Sequence, residues 1–373
     1  MIKKQYKIFI SATEQSGDNI GSNVILEILK TNKDIIFDGV GGEKMSALLN
    51  KQFYNLKEFN SMGIIEVIFS IKKYINMINY LVNKLIKTNY DLLITIDSPD
   101  FHYPLVKKLK EKSKIKMIHI VAPSVWAWRA YRAKNFSNVF DELFVLYDFE
   151  TKYFTKYGLK TTFIGHPIYY INKVVDEKND KKNIAFLPGS RLSEIDILFP
   201  YFQIGYQYLL ANHFKASIFI PTVPHLKDKI HDYIKDWKLK VVISSNLNEI
   251  ENMFTYTTHA LVCSGTASLE IAKRNIPQLV IYKLNLFTEL LAKLFIKIKF
   301  ANILNIIDNQ MIIPEITNSN LNKKIFLIEL SVLLNSSEKN KKQIKNVNRI
   351  LDTIYRDQPP YFLVSKRIFT YLT

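Results

Sequence analysis

The sequence predicts an α/β protein with two doubly wound domains, and three observations support this prediction. Short runs of apolar and β-branched residues, beginning with residues 7–11, recur between segments of helical periodicity. Because these runs lack a polar face, they are typical of parallel strands buried on both sides. A polar stretch at 170–183 separates two similar series of runs, and 373 residues suffice for two domains of ordinary size.

The first series of runs lies at 7–11, 35–40, 91–98, 116–122 and 142–146, and the second at 184–189, 217–222, 241–245, 260–264 and 279–282. We therefore predict an N-terminal domain over 1–168, a C-terminal domain over 169–345, and a C-terminal helical segment over 346–373 that packs back on the N-terminal domain. Doubly wound sheets bind ligands beyond the carboxyl ends of their strands. Functional residues are therefore expected in the loops that follow the runs.

The composition, with 48% hydrophobic and 23% charged residues, excludes a disordered chain. The 51 Lys and Arg residues exceed the 34 Asp and Glu residues by 17, which favours an anionic partner such as nucleic acid, anionic lipid or a phosphorylated metabolite. A biased base composition of the source genome explains part of this excess equally well. The single cysteine, Cys263, excludes an internal disulfide framework and a cysteine-based zinc cluster.

The N-terminus does not predict export, and the apolar regions do not predict a membrane-spanning helix. The N-terminus has the pattern of a first strand rather than of a signal peptide. The most apolar regions, 64–86 and 279–300, are each interrupted by charged residues, so neither qualifies as a spanning helix. In the first region, the stripe Ile68, Ile71, Ile75, Ile78, Val82 and Leu85 is widened by Phe69 and Met77. This pattern is explained either by core packing or by docking of surplus apolar residues on a bilayer.

Polar and glycine-containing motifs follow five of the runs. They are Thr13-Glu14-Gln15-Ser16-Gly17-Asp18, Asp97-Ser98-Pro99-Asp100, PSVWAWR at 123–129, Leu187-Pro188-Gly189-Ser190-Arg191 and Ser264-Gly265-Thr266. Three further motifs are Gly39-Val40-Gly41-Gly42, Met62-Gly63-Ile64-Ile65-Glu66 and Gly165-His166-Pro167. In this order and at these separations, the motifs resemble the lipid-A-disaccharide synthase family over nearly the whole chain.

The resemblance implies a GT-B fold, in which two Rossmann-like domains face each other across a cleft. It also implies inverting transfer from UDP-2,3-diacylglucosamine to 2,3-diacylglucosamine 1-phosphate (lipid X), giving the β-1,6 disaccharide 1-phosphate and UDP. No cofactor, metal or nucleic acid is expected. The expected location is cytoplasmic and peripheral, on the anionic inner face of the bacterial inner membrane, and a homodimer is left open.

The sequence departs from the family's pattern at several positions. Thr13 replaces Gly, His102 replaces Asn, Ala122 replaces Ser, and Tyr147 and Asp148 replace Leu-Pro. Leu304 stands in the Leu-Pro-Asn segment that here ends in Asn305, and Asn318 stands where Gln is expected. These departures concern acceptor contacts and loop geometry more than the class of reaction.

The resemblance assigns the general base to Asp97, which would accept the proton of the attacking hydroxyl. Because Asp in such turns more often caps the following helix, capping is the alternative for Asp97 and the role expected of Asp100. Arg191 would stabilise the departing diphosphate, and the alternative is a surface ion pair with Glu194. Further substrate contacts are expected from Glu14, Ser16, Asp18, Met62, Glu66, Trp126, Arg129, Gly189, Ser190, Ser264, Gly265, Thr266, Glu270 and Asn305.

The donor side of this site has a physical rationale. Ser264, Gly265 and Thr266 open a helix whose N–H groups suit a diphosphate, and Glu270 lies one turn later, where it would accept ribose hydroxyls. An ordinary Ser or Thr cap is the alternative. Two rival functions remain: another UDP-sugar enzyme such as a 2-epimerase, and a non-catalytic basic protein that binds nucleic acid or anionic membrane.

Overall fold

The computed structural model describes residues 5–59, 67–170, 182–212, 215–263, 265–283 and 299–372, except for the side chains of residues 67–70. The chain divides into two compact units. Unit 1 comprises Met1–Pro167 and Ile354–Thr373, and unit 2 comprises Ile168–Thr353. The predicted boundary at 345/346 falls inside a continuous helix, Ser337–Leu351. The predicted site residues Met62, Glu66 and Ser264, and most of the apolar region 279–300, lie outside the described residues.

The described part of unit 1 contains a parallel sheet of seven strands in the order β3-β2-β1-β4-β5-β6-β7. The strands are β1 (Lys7–Ala12), β2 (Ile36–Gly41), β3 (Lys51–Asn55), β4 (Leu92–Ile96), β5 (Lys116–Ile120), β6 (Glu142–Val145) and β7 (Lys160–Phe163). The helices are α1 (Gln15–Thr31), α2 (Glu43–Ser46), α3 (Val67–Lys87), α4 (Pro99–Lys110), α5 (Arg132–Ser137), α6 (Thr151–Thr155) and, near the C-terminus, α14 (Pro360–Leu372). In register, Ile8 of β1 pairs with Leu92 of β4.

Side chains of the central strands alternate between two cores. Phe9 of β1 belongs to one hydrophobic cluster, whereas its neighbours Ile8 and Ile10 belong to the other. Successive strand residues point to opposite faces, so a strand covered on both sides needs apolar residues at every position. This requirement explains why β1 has no polar face in the sequence.

Helix α14 returns to unit 1 and fills its core. Val364 and Ile368 are fully buried in the cluster that contains Ile8. Arg367 donates through Nε to both carboxylate oxygens of Glu142 on β6, at 3.1 and 3.0 Å. The buried Glu142 carboxylate also accepts a hydrogen bond from the Tyr371 hydroxyl at 2.6 Å. Apolar burial and a satisfied buried charge together attach this helix to the sheet.

Unit 2 repeats the same winding, with its described strands in the order β10-β9-β8-β11-β12-β13, all parallel. The strands are β8 (Lys182–Leu187), β9 (Ala216–Pro221), β10 (Lys240–Ser244), β11 (His259–Cys263), β12 (Gln278–Tyr282) and β13 (Glu315–Thr317). The described helices are α7 (Leu192–Ala211), α8 (Lys227–Ile234), α9 (Leu247–Thr255), α10 (Thr266–Lys273), α11 (Ile303–Asp308), α12 (Lys323–Asn335) and α13 (Ser337–Leu351).

Each of the ten predicted runs coincides with a strand, and the α/β prediction is confirmed. The sequence did not predict β3, β7 or β13, which are short and only partly buried edge strands. Such strands lack the continuous apolar pattern of a strand covered on both faces.

Helix α3 differs from its predicted pattern. Ile71 and Ile75 of the expected core stripe are 55% and 46% exposed, whereas Met77 is 4% exposed and packs in the core with Leu81. Of the two alternatives that the sequence left open for Met77, the structure supports core packing and excludes exposure to lipid. The side chain of Phe69 lies outside the described residues. Within the described ranges, no helix combines the length and apolar character needed to cross a bilayer.

Candidate active site

Asp97 directly follows β4 and adopts a left-handed backbone conformation. Its φ is 53°, and that of Ser98 is 46°. Non-glycine residues rarely occupy this region, and such strain is concentrated at functional sites. The Asp97 N–H donates to the carbonyl of Ile120 at 2.9 Å, which extends the β4–β5 ladder past the end of the strand. Helix α4 then begins at Pro99, so two elements hold the strained turn.

His102 on α4 ties the backbone of Asp97 to β1. Its Nδ1 lies 2.7 Å from the carbonyl oxygen of Asp97, and its Nε2 lies 2.9 Å from Oγ of Ser11. Because a carbonyl can only accept, Nδ1 carries the hydrogen and Nε2 accepts from the Ser11 hydroxyl. Complete burial lowers the pKa of His102 to about 4, so the ring is neutral near pH 7. His102 is thus a positioning residue for Asp97.

The carboxylate of Asp97 has the electrostatic setting of a base. Burial raises its pKa first, and the negative charge of Glu14 adds to that rise, while the Ser98 N–H opposes it. That N–H donates to Oδ1 of Asp97 at 2.8 Å. The hydroxyl of Ser98 donates to Oε1 of Glu14 at 3.3 Å, which places Glu14 beside the turn. A raised pKa makes the ionised carboxylate a stronger proton acceptor.

The loop after β5 carries a second strained residue and a buried carboxylate. Val121 has a φ of 76°, which is unfavourable for a β-branched side chain. Five residues later, Trp126 donates through Nε1 to Oε1 of Glu150 at 3.2 Å. Burial raises the pKa of Glu150 to about 7, despite the hydrogen bonds it accepts. The indole of Trp126 is therefore oriented by a buried acid, and its contact with substrate stays a prediction.

Asp100 forms ion pairs with two arginines instead of capping α4. Arg129 and Arg132 both donate to its Oδ1, the former at 3.3 Å. The residue at the helix cap position is Ser98, which makes no side-chain capping bond. The expectation that Asp100 serves as a cap is therefore wrong, because the guanidinium groups compete successfully for its carboxylate.

In unit 2, the loop after β8 is shaped around Gly189. The φ of Gly189 is 111°, and a Cβ at this position would lie 2.7 Å from Oε2 of Glu194. The positive φ therefore favours glycine, and a larger residue would also displace the carboxylate of Glu194. The Ser190 N–H donates to Oε2 of Glu194 at 3.3 Å, and Arg191 pairs with Oε1 of Glu194 at 3.2 Å. The side chain of Arg191 is 73% exposed and is accessible to a ligand.

Among the described residues, no side chain caps the start of helix α10. Gly265, with a φ of 139°, occupies the cap position, and Thr266 is the first helical residue. Gly265 has no side chain that could accept from the first N–H groups of this helix, and such groups suit an anionic acceptor. Glu270 lies one turn later and is partly buried, and burial is the main cause that raises its pKa.

Two predicted contact residues have structural roles. Asp18 is fully buried, and its carboxylate accepts from the N–H groups of Gly42, Lys44 and Met45 at 2.7–3.1 Å. Asn305 is also fully buried and bridges the backbone at Ile312 and Ile313. The predictions that these side chains contact substrate are wrong, because backbone groups occupy their polar atoms.

Three residues of this region were not predicted as site residues: His102, Arg132 and Glu150. The sequence signalled His102 only as a departure from the family's pattern. Arg132 and Glu150 carry no motif of their own, and their importance depends on long-range contacts. Ser16, which was predicted, lies exposed in the first turn of α1. Burial raises the pKa of the Cys263 thiol to about 12, as expected for an inert packing residue.

Comparisons with solved structures define the fold class. A UDP-N-acetylglucosamine 2-epimerase from Neisseria meningitidis, solved with UDP-GlcNAc, aligns with a TM-score of 0.62 at 14% identity, covering 98% of this chain and 99% of the other. MurG of Acinetobacter baumannii aligns with a TM-score of 0.59 at 11% identity, over 98% and 99% of the two chains. These likenesses show the fold alone, which is the GT-B class.

Comparisons of sequence define the family. The family model described as lipid-A-disaccharide synthetase matches residues 8–358. The lipid-A-disaccharide synthase of Rickettsia prowazekii is 34% identical over 97% of this chain and 98% of its own length. That of Gluconobacter oxydans is 30% identical over 93% and 86% of the two chains. The chain therefore belongs to the lipid-A-disaccharide synthetase family.

Proposed function

We propose that the protein condenses UDP-2,3-diacylglucosamine with lipid X by an inverting mechanism, giving the β-1,6 lipid A disaccharide 1-phosphate and UDP. Membership of the family makes it a glycosyltransferase of lipid A synthesis. The finer proposal rests on one observation: Asp97, at the carboxyl end of β4, has a strained backbone and a carboxyl group whose pKa is raised.

In the proposed reaction, Asp97 is the general base. The 6-hydroxyl of lipid X attacks the anomeric carbon of the donor from the face opposite UDP. Its proton passes to the Asp97 carboxylate as the new C–O bond forms. The bond to the UDP oxygen breaks with its electron pair, so configuration inverts and the negative charge resides on the β-phosphate. Asp97 needs to be ionised for this step, and its raised pKa strengthens it as a base.

Unit 2 supplies the proposed donor site. Arg191 offers a planar cation to the leaving diphosphate, and its exposure leaves it able to exchange Glu194 for phosphate oxygens. Gly265 and Thr266 present the start of α10 to the diphosphate, and Glu270 accepts hydrogen bonds from the ribose hydroxyls. At Gly189 and Ser190 the donor comes close to the backbone. Ser264 remains a proposed contact outside the described residues. Neither this assignment nor the unit 1 contacts require a metal or cofactor.

Unit 1 supplies the proposed acceptor contacts. Glu14 and Ser16 lie at the first strand–helix turn, and Glu14 is bonded to the Asp97 turn through Ser98. Trp126 and Arg129 lie on the loop after β5. Met62 and Glu66 remain proposed contacts outside the described residues.

We further propose that the protein acts as a peripheral enzyme on the anionic cytoplasmic face of the inner membrane. Ile71 and Ile75, one helical turn apart on α3, are exposed, and Lys72 lies exposed between them. Apolar side chains beside a cation are suited to the boundary between acyl chains and anionic headgroups. Both substrates carry acyl chains, which an enzyme on the bilayer surface reaches without extracting the whole lipid into water.

The test of this function is a reconstituted reaction with UDP-2,3-diacylglucosamine and lipid X in detergent, analysed by mass spectrometry. The expected product is the disaccharide 1-phosphate together with one UDP. Asp97→Asn should retain donor binding and the fold but lose most turnover, because an amide does not accept the proton. Asp34→Asn, at an exposed turn, is the matched control. An epimerised UDP-sugar, or UDP release without disaccharide, would overturn the proposal.

A further inference from the structure

Beside the turn of Asp97, unit 1 carries a cationic cluster formed by Trp128, Arg129 and Arg132. The guanidinium carbon of Arg129 lies 4.1 Å from the centroid of the Trp128 ring, and that of Arg132 lies 5.5 Å from it. Arg129 has a φ of 50°, so its backbone is held in the left-handed region. Stacking and backbone strain together fix the direction of two cations that long flexible side chains would otherwise leave variable.

Both guanidinium groups converge on a single oxygen, Oδ1 of Asp100. One carboxylate neutralises only one of the two positive charges. The Asp100 side chain is 75% exposed, whereas that of Arg132 is 12% exposed. Exposure makes the carboxylate free to rotate into solvent, while the arginine that it leaves stays in place. The two arginines thus form a preformed anion site, in which an external anion can replace the carboxylate of Asp100.

The space next to these arginines can hold a small ligand. A cavity of about 180 Å³ adjoins them, and Tyr103, Tyr131 and Asn135 are among the residues that line it. A tyrosine hydroxyl and a side-chain amide are hydrogen-bond donors that suit phosphate oxygens and sugar hydroxyls. A phosphomonoester carries about −1.5 to −2 charges at pH 7 and has three acceptor oxygens. It would balance two guanidinium groups better than the single charge of Asp100 does.

We propose that Arg129 and Arg132 bind the phosphomonoester of the acceptor, and that this phosphate displaces the carboxylate of Asp100. The inference rests on the proposed function for the identity of the acceptor, but not for the existence of the phosphate site. Asp100 fills the site when the acceptor is absent and prevents two like charges from facing each other unpaired. Because Asp100 lies three residues after Asp97, release of its carboxylate occurs next to the proposed base.

Removing the negative charge of Asp100 should strengthen the binding of phosphate. If the carboxylate is a competitor for the arginines, Asp100→Asn should bind glucosamine 1-phosphate about three- to tenfold more tightly than the parent protein. Arg129→Gln should weaken the same binding by tenfold or more, because a guanidinium that pairs with phosphate is lost. Lys134→Gln, which removes an exposed positive charge from the same short helix as Arg132, is the control for a change in overall charge.

The experiment is calorimetric titration of the parent and the three variants with glucosamine 1-phosphate, inorganic phosphate and glucosamine. Tighter binding of both phosphates by Asp100→Asn, weaker binding by Arg129→Gln, unchanged binding by Lys134→Gln and no binding of glucosamine are expected. If Asp100→Asn binds phosphate no better than the parent, or if Arg129→Gln binds it equally well, the proposal is overturned. In that case the ion pairs of Asp100 with Arg129 and Arg132 only stabilise the fold.

A further arm separates the sources of phosphate, and the choice of readout separates this proposal from the proposed function. Binding of phosphatidylglycerol vesicles should be equal in the parent and Arg129→Gln. A loss of vesicle binding in Arg129→Gln, with no loss for the sugar phosphate, would assign the cluster to a lipid headgroup and overturn the acceptor site. These titrations need no turnover. A protein that binds the sugar phosphate but makes no disaccharide therefore contradicts the proposed function alone.

Discussion

Nδ1 of His102 lies 2.7 Å from the main-chain carbonyl oxygen of Asp97, so a residue on α4 holds the strained turn that carries the proposed base. The other ring nitrogen lies 2.9 Å from the Ser11 hydroxyl on β1. A single buried imidazole therefore connects the carboxyl ends of two neighbouring strands. Its two hydrogen bonds can be removed one at a time.

Exchanging His102 for Asn or Gln should separate its two contacts. The amide of Asn reaches about as far as Nδ1 and can still donate to Asp97, whereas the amide of Gln extends toward the position of Nε2 and favours Ser11. We expect His102→Asn to retain kcat within a few-fold and His102→Gln to lose about tenfold or more, with the donor KM unchanged in both. Equal losses of kcat that follow the fall in Tm would show that His102 only supports the fold.

Replacing Glu14 by Gln should shift the acidic limb of the kcat–pH profile to lower pH. The negative charge of Glu14 raises the pKa of Asp97, and its removal lowers that pKa. The ionised base then persists to lower pH. The measurement is kcat against pH for Glu14→Gln, with Glu27→Gln, on the α1 helix that follows Glu14, as the control. A limb that stays in place, or that moves to higher pH, contradicts the assignment of Asp97 as the titrating base.

Arg191 tests whether the loop after β8 stabilises the leaving group. If Arg191 binds the diphosphate in the transition state, Arg191→Ala should reduce kcat by the equivalent of about 2–4 kcal/mol. Arg191→Lys should restore only part of the rate, because an ammonium does not match two oxygens in one plane. A mere surface pair with Glu194 would contribute about 0.2–0.5 kcal/mol to stability and nothing to kcat. Wild-type turnover in Arg191→Lys would support that alternative.

The exposed and buried residues of α3 provide a matched test of membrane docking. The double variant Ile71→Ser, Ile75→Ser should melt near the parent temperature but should sediment less with anionic liposomes, while activity on detergent-dispersed substrate is kept. Met77→Ser should instead lower the free energy of unfolding by about 2–5 kcal/mol, because it removes a core side chain. Unchanged liposome binding by the Ile71→Ser, Ile75→Ser protein would exclude this helix as the docking surface.

The buried carboxyl group of Glu150 should make the free energy of unfolding fall as pH rises. Its pKa is about 7 in the folded protein and 4.5 as the ordinary value. The folded state therefore holds the proton more tightly, and this carboxyl lowers the free energy of unfolding as pH rises from 4.5 to about 7. Over this window, Glu150→Gln should gain roughly 2–4 kcal/mol relative to the parent. The measurement is chemical denaturation of both proteins across the window, and parallel curves would contradict the assignment.

The sequence predicted the strands of both sheets because burial on two faces leaves continuous apolar runs, as in β1 and β4. It did not predict β3, β7 or β13, because their sequences KQFYN, KTTF and EIT contain polar residues that break any continuous apolar run, unlike KVVIS of the edge strand β10. For the site, Asp97 and the loop at Gly189 follow from their position after strands.

The errors in the site have a common cause. Asp18 and Asn305 have the residue types of ligand contacts, but polar side chains satisfy backbone groups with the same atoms that bind ligands. Only their burial and their partners distinguish the two roles. Asp100 is a similar case, because the sequence places it at a helix start but does not reveal the arginines 29 and 32 residues later.

The attachment of α14 to unit 1 has a consequence for biosynthesis. Val364 and Ile368 leave the ribosome after all of unit 2, yet they fill the core around β1, the first strand to be made. Unit 2 is contiguous in sequence, so its strands are available for pairing before unit 1 acquires its last helix. During translation of 168–353, roughly 10–40 s at 5–20 residues per second, the nascent unit 1 exposes apolar surface and a Glu142 carboxylate that lacks the hydrogen bonds of Arg367 and Tyr371. This interval is when a ribosome-associated chaperone has a binding surface that the finished protein no longer offers.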